Sequence, residues 1–144
     1  FGEFDETGSV NVSRLGGVTV GPGGFIDIAQ NAKKVVFCGT LAAKGVKLAT
    51  GDGQMRVLQQ GGVQKLVKQV DQITFSGPQS VVRGQEVLYL TERASFRLTP
   101  EGIELFEIAP GIDLQRDVLD QMAFAPRVAQ PLATMAATHF LASA

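Results

Sequence analysis

Residues 86–110, EVLYLTERASFRLTPEGIELFEIAP, leave the chain the least freedom. EVLYLTE and ASFRLT alternate apolar and polar side chains and favour β-branched and aromatic residues, the composition of strands. TPEG places Pro second and Gly fourth, which suits a tight turn. IELFEIAP alternates apolar with acidic residues, so Ile103, Leu105, Phe106 and Ile108 fall mostly on one side. The pattern predicts a β-hairpin. GIDLQRDVLDQM then predicts a helix capped by Asp113, with Leu114, Val118, Leu119 and Met122 as its apolar stripe. Asp113 and Asp117 both suit the start of that helix.

The amino-terminal half carries a different signal. FGEF and VNV flank DETGS, which reads as strand, turn, strand. Phe25, Ile28, Ala29 and Ala32 recur at i, i+3, i+4 and i+7, one face of a helix. KVVFCGT is a short, nearly continuous apolar run, which predicts a strand buried on both faces. Loop, helix and buried strand in that order point to the α/β class, with an open, mostly parallel sheet, flanking helices and the hairpin near the carboxyl end. Residues 41–62 read as short strands and loops. VQKLVKQV fits a helix by spacing and a strand by its β-branched content. QITFSGP reads as a strand ending in a turn. There is no repeat and no linker long enough to divide the chain, so residues 1–127 are expected to form one unit, with 128–144 as an Ala-rich tail that either docks or is partly disordered.

Composition narrows the function classes. With 144 residues, 44% of them apolar, the chain can build a sizeable core. A net charge of −1 gives no field that would draw in nucleic acid or an anionic membrane. No apolar run is long enough for a membrane-spanning helix. Cys38 is the one cysteine, so no internal disulfide forms, and a reducing, cytoplasmic setting is expected. The first residue is Phe, no signal peptide is visible, and FGEFDETG already reads as the inside of a fold. The chain is therefore expected to be a piece of something longer.

The stretch TVGPGGFIDIAQ, residues 19–30, raises the chemical question. Its spacing fits neither the dinucleotide fingerprint G-x-G-x-x-G nor a P-loop, which counts against a nucleotide-binding oxidoreductase. Two readings stay open: a plain turn, or a loop whose Gly23 and Gly24 N–H groups face an anion or a developing oxyanion at a helix start. Other residues are weighed the same way. Lys44, in AKGVK, is a solvated loop lysine or a contact for a phosphate group. Asn11, in VNVS, is a turn residue or a donor to a substrate carbonyl. Glu92 and Arg93 suit an ion pair at the end of a sheet better than a catalytic role. Cys38 reads as a small buried hydrophobe, and one Cys and one His, His139, far apart in sequence, give no metal-ligand spacing.

GPGGFIDIAQNAKKVVFCGT, AKGVK and VLYLTERASFRLTPEGIELFEIAPGIDLQRDVLDQM together resemble the carboxyl-terminal part of a family I coenzyme A-transferase, and ETGSVNVSRLGG fits the same family. The likeness runs from about residue 1 to about residue 127. It implies a three-layer α/β fold and a ping-pong exchange of CoA between an acyl-CoA and a carboxylic acid through a glutamyl thioester. It implies that CoA is a substrate and that no cofactor is permanently bound; a homo-oligomer is expected because exposed strands at a truncated edge favour association. It places Gly21, Gly23 and Gly24 beside the nucleophilic glutamate, with Gly23 and Gly24 as oxyanion donors and Gly21, Asn11 and Lys44 toward substrate and CoA. Glu6, in ETG, superficially fits the E-x-G pattern of that glutamate. DETGSVNVS matches instead the turn after the nucleophile's strand, so the nucleophile is expected upstream, in a missing amino-terminal part of the same protein. The alternative is a non-catalytic CoA-binding or subunit-assembly module.

Overall fold

The structure is a computed structural model that describes residues 1–141. Strands β1 (Glu3–Asp5) and β2 (Val10–Asn11) are joined by the DETGS turn, and β3 (Arg14–Leu15) and β4 (Val18–Thr19) lead into the glycine loop. Helix α1 (Phe25–Asn31) and strand β5 (Lys34–Cys38) follow. Short strands β6 (Ala42–Ala43), β7 (Lys47–Gly51), β8 (Gln54–Gln59), β9 (Val63–Gln64) and β10 (Leu66–Val67) fill the middle of the chain. Then come α2 (Gly77–Arg83), β11 (Glu86–Leu90), β12 (Ala94–Thr99), β13 (Gly102–Ile108), α3 (Leu114–Asp117) and β14 (Arg127–Thr134).

The main sheet has the order β14-β13-β12-β11-β5. It is mixed rather than mostly parallel: β11 with β5 and β13 with β14 are parallel, whereas β12 runs antiparallel to both its neighbours. The α/β class stands, and the hairpin β12–β13 supplies the antiparallel part. Its register shifts between Ser95 and Phe96, opposite Leu105 and Glu107, so a bulge absorbs Phe106, the residue that breaks the alternation.

Phe37, Tyr89, Phe96 and Leu105 stand in register across β5, β11, β12 and β13, and therefore share one face. All four are at most 5% exposed. Phe4 of β1 packs on this row, 4.5 Å from Tyr89 and 5.8 Å from Phe96 between ring centroids. Phe25 of α1 stacks on Phe37 at 5.7 Å, and Phe75 meets Phe37 edge-on at 5.0 Å. The expectation that KVVFCGT is buried on both faces fails. Val35 and Phe37 are buried, while Lys34, Val36 and Cys38 are exposed, because the described residues cover only one face of this strand. Cys38 is accordingly an exposed thiol, not a small buried hydrophobe.

Further local expectations are revised. QITFSGP is not a strand ending in a turn. Phe75 makes a single bridge to Val10, and Ser76 accepts from the Gln79 N–H to cap α2, with Pro78 in the first turn. VQKLVKQV resolves in favour of extended structure, as β9 and β10. The predicted helix over GIDLQRDVLDQM keeps its Asp113 cap but breaks at Val118 (φ −124°), after which residues 119–121 form a 3-10 turn. The break lets the Asp117 carboxylate turn inward and accept from the Asp113 N–H, while Val118 is fully buried. The Ala-rich tail docks: Arg127–Thr134 adds the edge strand β14 to the sheet, and Phe140 is buried. Its last three positions, 142–144, lie outside the described residues.

Candidate functional site

The parallel strands β5 and β11 end side by side, joined by a bond from the Gly39 N–H to the Leu90 carbonyl. The Phe25–Phe37 stack places the start of α1, and with it the glycine loop, at this same carboxyl end. That end of a parallel pair is where strand-end loops of α/β proteins present their chemistry.

The loop is built to expose backbone. Residues 16–24 are all exposed. Gly21 (φ +80°) and Gly23 (φ +55°) hold left-handed conformations that side chains disfavour, and an added Cβ at either would meet nothing within 4 Å. The Val20 and Gly21 N–H groups both donate to the Ser13 carbonyl, and the Phe25 N–H closes onto Pro22. Among the described residues no group accepts from the Gly23 or Gly24 N–H, and no side chain caps α1. Two adjacent backbone donors thus stand open at the helix start, which is the arrangement an anionic oxygen needs. The Gly21 N–H is already engaged and fixes the turn.

Asn11 lies fully buried below this loop. Its amide donates to Glu3 and the Arg14 carbonyl and accepts from the Ser13 and Arg14 N–H groups. All its hydrogen-bonding capacity shapes the strand-to-loop transition, so it positions Ser13, whose carbonyl in turn holds Val20 and Gly21. Lys44 is exposed, with φ +59°, at the turn between β6 and β7. Glu6 lies elsewhere. It lines a groove with Thr99, Pro100, Glu101 and Gly102 at the hairpin turn, the opposite end of the sheet from the glycine loop.

Glu92 and Arg93 form the expected ion pair, and the structure gives it more partners than the sequence did. Arg93 is fully buried. Its Nε donates to Glu92 at 2.7 Å, and its Nη1 donates to the Gln60 side chain at 2.8 Å and to the Asp117 carbonyl at 3.2 Å. Nη2 has no partner among the described residues. The other Glu92 oxygen accepts from the Leu41 N–H at 2.9 Å, which pins the chain just beyond β5. Gln60 also donates to Asp117, and Arg116 pairs with the same carboxylate through two bonds. The Arg116 guanidinium holds the Asp117 carboxyl below its ordinary range against the opposing effect of burial. Sequence pattern marks neither Gln60 nor Asp117 for this cluster; nothing local distinguishes a loop glutamine that will meet an arginine 33 residues away.

Lys65 is another residue that sequence reasoning misses. It lies 4.5 Å above the Phe1 ring and within 3.4 Å of the Thr40 hydroxyl, at the carboxyl end of β5. Burial lowers its pKa, partly offset by Glu92.

Similarity to known proteins bears on this geometry. The chain is 44% identical over all 144 of its residues to the acetate CoA-transferase YdiF of Escherichia coli O157:H7, of which it covers 27%. It is 46% identical over 138 residues to the caffeate CoA-transferase of Acetobacterium woodii, covering 92% of this chain and 26% of that protein. The chain thus spans about a quarter of the length of these relatives. The crystal structure of the E. coli O157:H7 acyl-CoA transferase in a thioester complex with CoA superposes with a TM-score of 0.96, over 100% of this chain and 28% of that one, at 44% identity. The decarboxylase AibA/AibB shares the fold at a TM-score of 0.65 and 17% identity, over 99% of this chain and 50% of that one. No established family profile matches the chain.

Proposed function

We propose that this chain is the carboxyl-terminal part of a CoA-transferase that moves CoA between an acyl-CoA and a carboxylic acid. The observation that carries the reading is the match over the whole of this chain, in sequence and backbone, to an acyl-CoA transferase crystallised in a thioester complex with CoA. Residues 1–127 belong to the catalytic domain, with 128–144 as its tail. The remainder of the polypeptide supplies the nucleophilic glutamate and the layer that completes a three-layer fold over the exposed face of β5. The protein works as a cytoplasmic homo-oligomer, with CoA as substrate and no resident cofactor.

The chemistry runs through a carboxylate nucleophile. The glutamate attacks the thioester carbonyl, CoA thiolate leaves, and an acyl–glutamyl anhydride forms. The thiolate attacks the glutamyl carbonyl, the first acid departs as its carboxylate, and a glutamyl thioester remains. An incoming carboxylate reverses the sequence on its own behalf. Each attack develops negative charge on a carbonyl oxygen, which the open Gly23 and Gly24 N–H groups stabilise. Asn11 and Gly21 set the path of that loop, and exposed Lys44 meets a CoA phosphate.

The test uses the longer polypeptide incubated with acyl-CoA alone and then treated with hydroxylamine or borohydride. Modification of one glutamate upstream of Phe1, dependent on acyl-CoA and matched by loss of exchange activity, supports the reading. CoA binding with no modified glutamate makes the chain a binding or assembly module, and exchange by residues 1–144 alone places the nucleophile wrongly.

A further inference from the structure

The main sheet has two edges, and they differ. At one, β14 carries Pro131, which has no N–H to offer a neighbour. At the other, β5 has no proline and no partner strand on its outer side among the described residues. The hydrogen bonds give its orientation. The Lys33 carbonyl and the Gly39 N–H both point to β11. In a strand the direction alternates, so Val35 and Phe37 also face β11, whereas Lys34, Val36 and Cys38 direct their backbone groups outward.

One outward group is already taken: the Cys38 carbonyl accepts from the Phe1 amine at 2.9 Å. This bond sets a direction. In an antiparallel arrangement the residues after Phe1 would run down β5. They go instead to β2 and β10. A chain entering at Phe1 can therefore run along β5 only in parallel, from the Lys34 end to the Cys38 end. Beside this edge, Phe25, Ile28 and Ala29 of α1 and Ala32 just after it form a mostly apolar groove with Lys34, Val35, Val36 and Phe37. Ile28 is 75% exposed and Val36 44% exposed, on the helix and on the strand that border it.

We infer that the outer edge of β5 receives a sixth, parallel strand, formed by the residues that lead into Phe1 in the longer polypeptide, with apolar side chains seated under Ile28 of α1. The inference rests on the reading that the chain is part of a polypeptide as long as its relatives. About three quarters of their length lies outside the region matched here, which leaves ample chain for such a strand. In a parallel ladder the Phe1-to-Cys38 bond is the last rung. The Cys38 N–H, the Val36 N–H and the Val36 carbonyl make the preceding ones.

Hydrogen exchange resolved to single amides in the longer polypeptide decides the matter. The Val36 and Cys38 N–H groups should exchange as slowly as those of Val35 and Phe37, within about tenfold. In residues 1–144 alone they should exchange about 100-fold faster than their odd-numbered neighbours. Fast exchange at Val36 and Cys38 in the longer polypeptide overturns the inference. So does protection in residues 1–144 that rises with protein concentration, since a second copy would then occupy the edge. The readout needs no turnover, so an inactive polypeptide with protected amides refutes the transferase reading and leaves the strand intact.

Discussion

Two turns of this molecule serve opposite ends of the sheet, and they are held in opposite ways. The turn over residues 5–9 is tied down by side chains. Asp5 accepts from the Thr7, Ser9 and Val70 N–H groups, and the Tyr89 hydroxyl donates to the Gly8 carbonyl. The loop over residues 16–24 has almost no such ties. Its backbone is fixed from below, by Ser13 and Pro22, and its outer N–H groups stay open. A turn that must hold its shape satisfies its own polar groups. The glycine loop leaves its outer donors free, as the proposed oxyanion role would require, and is held from beneath. The Glu92–Arg93 cluster, by contrast, anchors the chain beyond β5 at the same end of the sheet. If this contrast is right, damage to the anchored regions should appear as lost stability, and damage to the open loop as lost turnover.

The largest effect should come from Arg93→Ala. It removes a fully buried guanidinium and leaves Glu92 and Gln60 facing a void. A loss of about 4 kcal/mol is expected from breaking a buried charge pair on one side. Urea unfolding of residues 1–144 measures it. A loss below about 1 kcal/mol would mean that the cluster is a surface-like pair, and that the anchored half of the comparison is wrong.

Gly24→Ala should give the reverse signature. Gly24 has an ordinary φ of −82°, and an added Cβ would meet only the Ile28 side chain, at 3.8 Å. Stability should change by less than about 0.5 kcal/mol. In the longer polypeptide kcat should fall by about 100-fold, roughly 3 kcal/mol of barrier, if the methyl group crowds the oxyanion position. KM for acyl-CoA should move little. Gly23→Ala sharpens the pair. It finds the same open space but must hold φ +55°, so it should add a stability cost of about 1 kcal/mol to the loss of turnover. Normal kcat in both variants would return the loop to a plain turn.

The contrast also explains which features can be read from sequence. The hairpin, the Asp113 cap and the DETGS turn depend on neighbours in the chain, and local pattern specifies them. The β5 pattern misleads because an apolar run reports what a strand can tolerate, and Val36 and Cys38 show only what the described residues leave uncovered. Helix α2 hides because Gly77 and Pro78 read as turn formers, although Ser76 before them is a cap. The glycine loop is visible as a motif, but its two open donors are not, since Gly21 and Gly23 look alike until the Ser13 carbonyl claims one N–H. Gln60 and Asp117 join the Arg93 cluster through tertiary contacts alone.

The smallest expected effect tests the anchored turn through pH. Tyr89 is the one tyrosine in a chain without tryptophan, so its ionisation can be followed by ultraviolet absorbance without interference. Burial, with the Asp5 charge adding to it, pushes the phenol well above its ordinary value. The hydroxyl must therefore stay protonated to keep its bond to Gly8. A group whose folded pKa is raised contributes fully below its unfolded value, about 10 for tyrosine, and the contribution is lost as pH climbs beyond it. Stability should hold level with respect to this group up to about pH 10 and fall above, with tyrosinate absorbance appearing only as the protein unfolds. Tyr89→Phe should cost about 1 kcal/mol at neutral pH, because the Gly8 carbonyl loses its donor, and should remove Tyr89's share of the alkaline decline. Tyrosinate formation in the still-folded protein near pH 10 would show that the turn opens independently of the sheet, and would bring its behaviour close to that of the glycine loop.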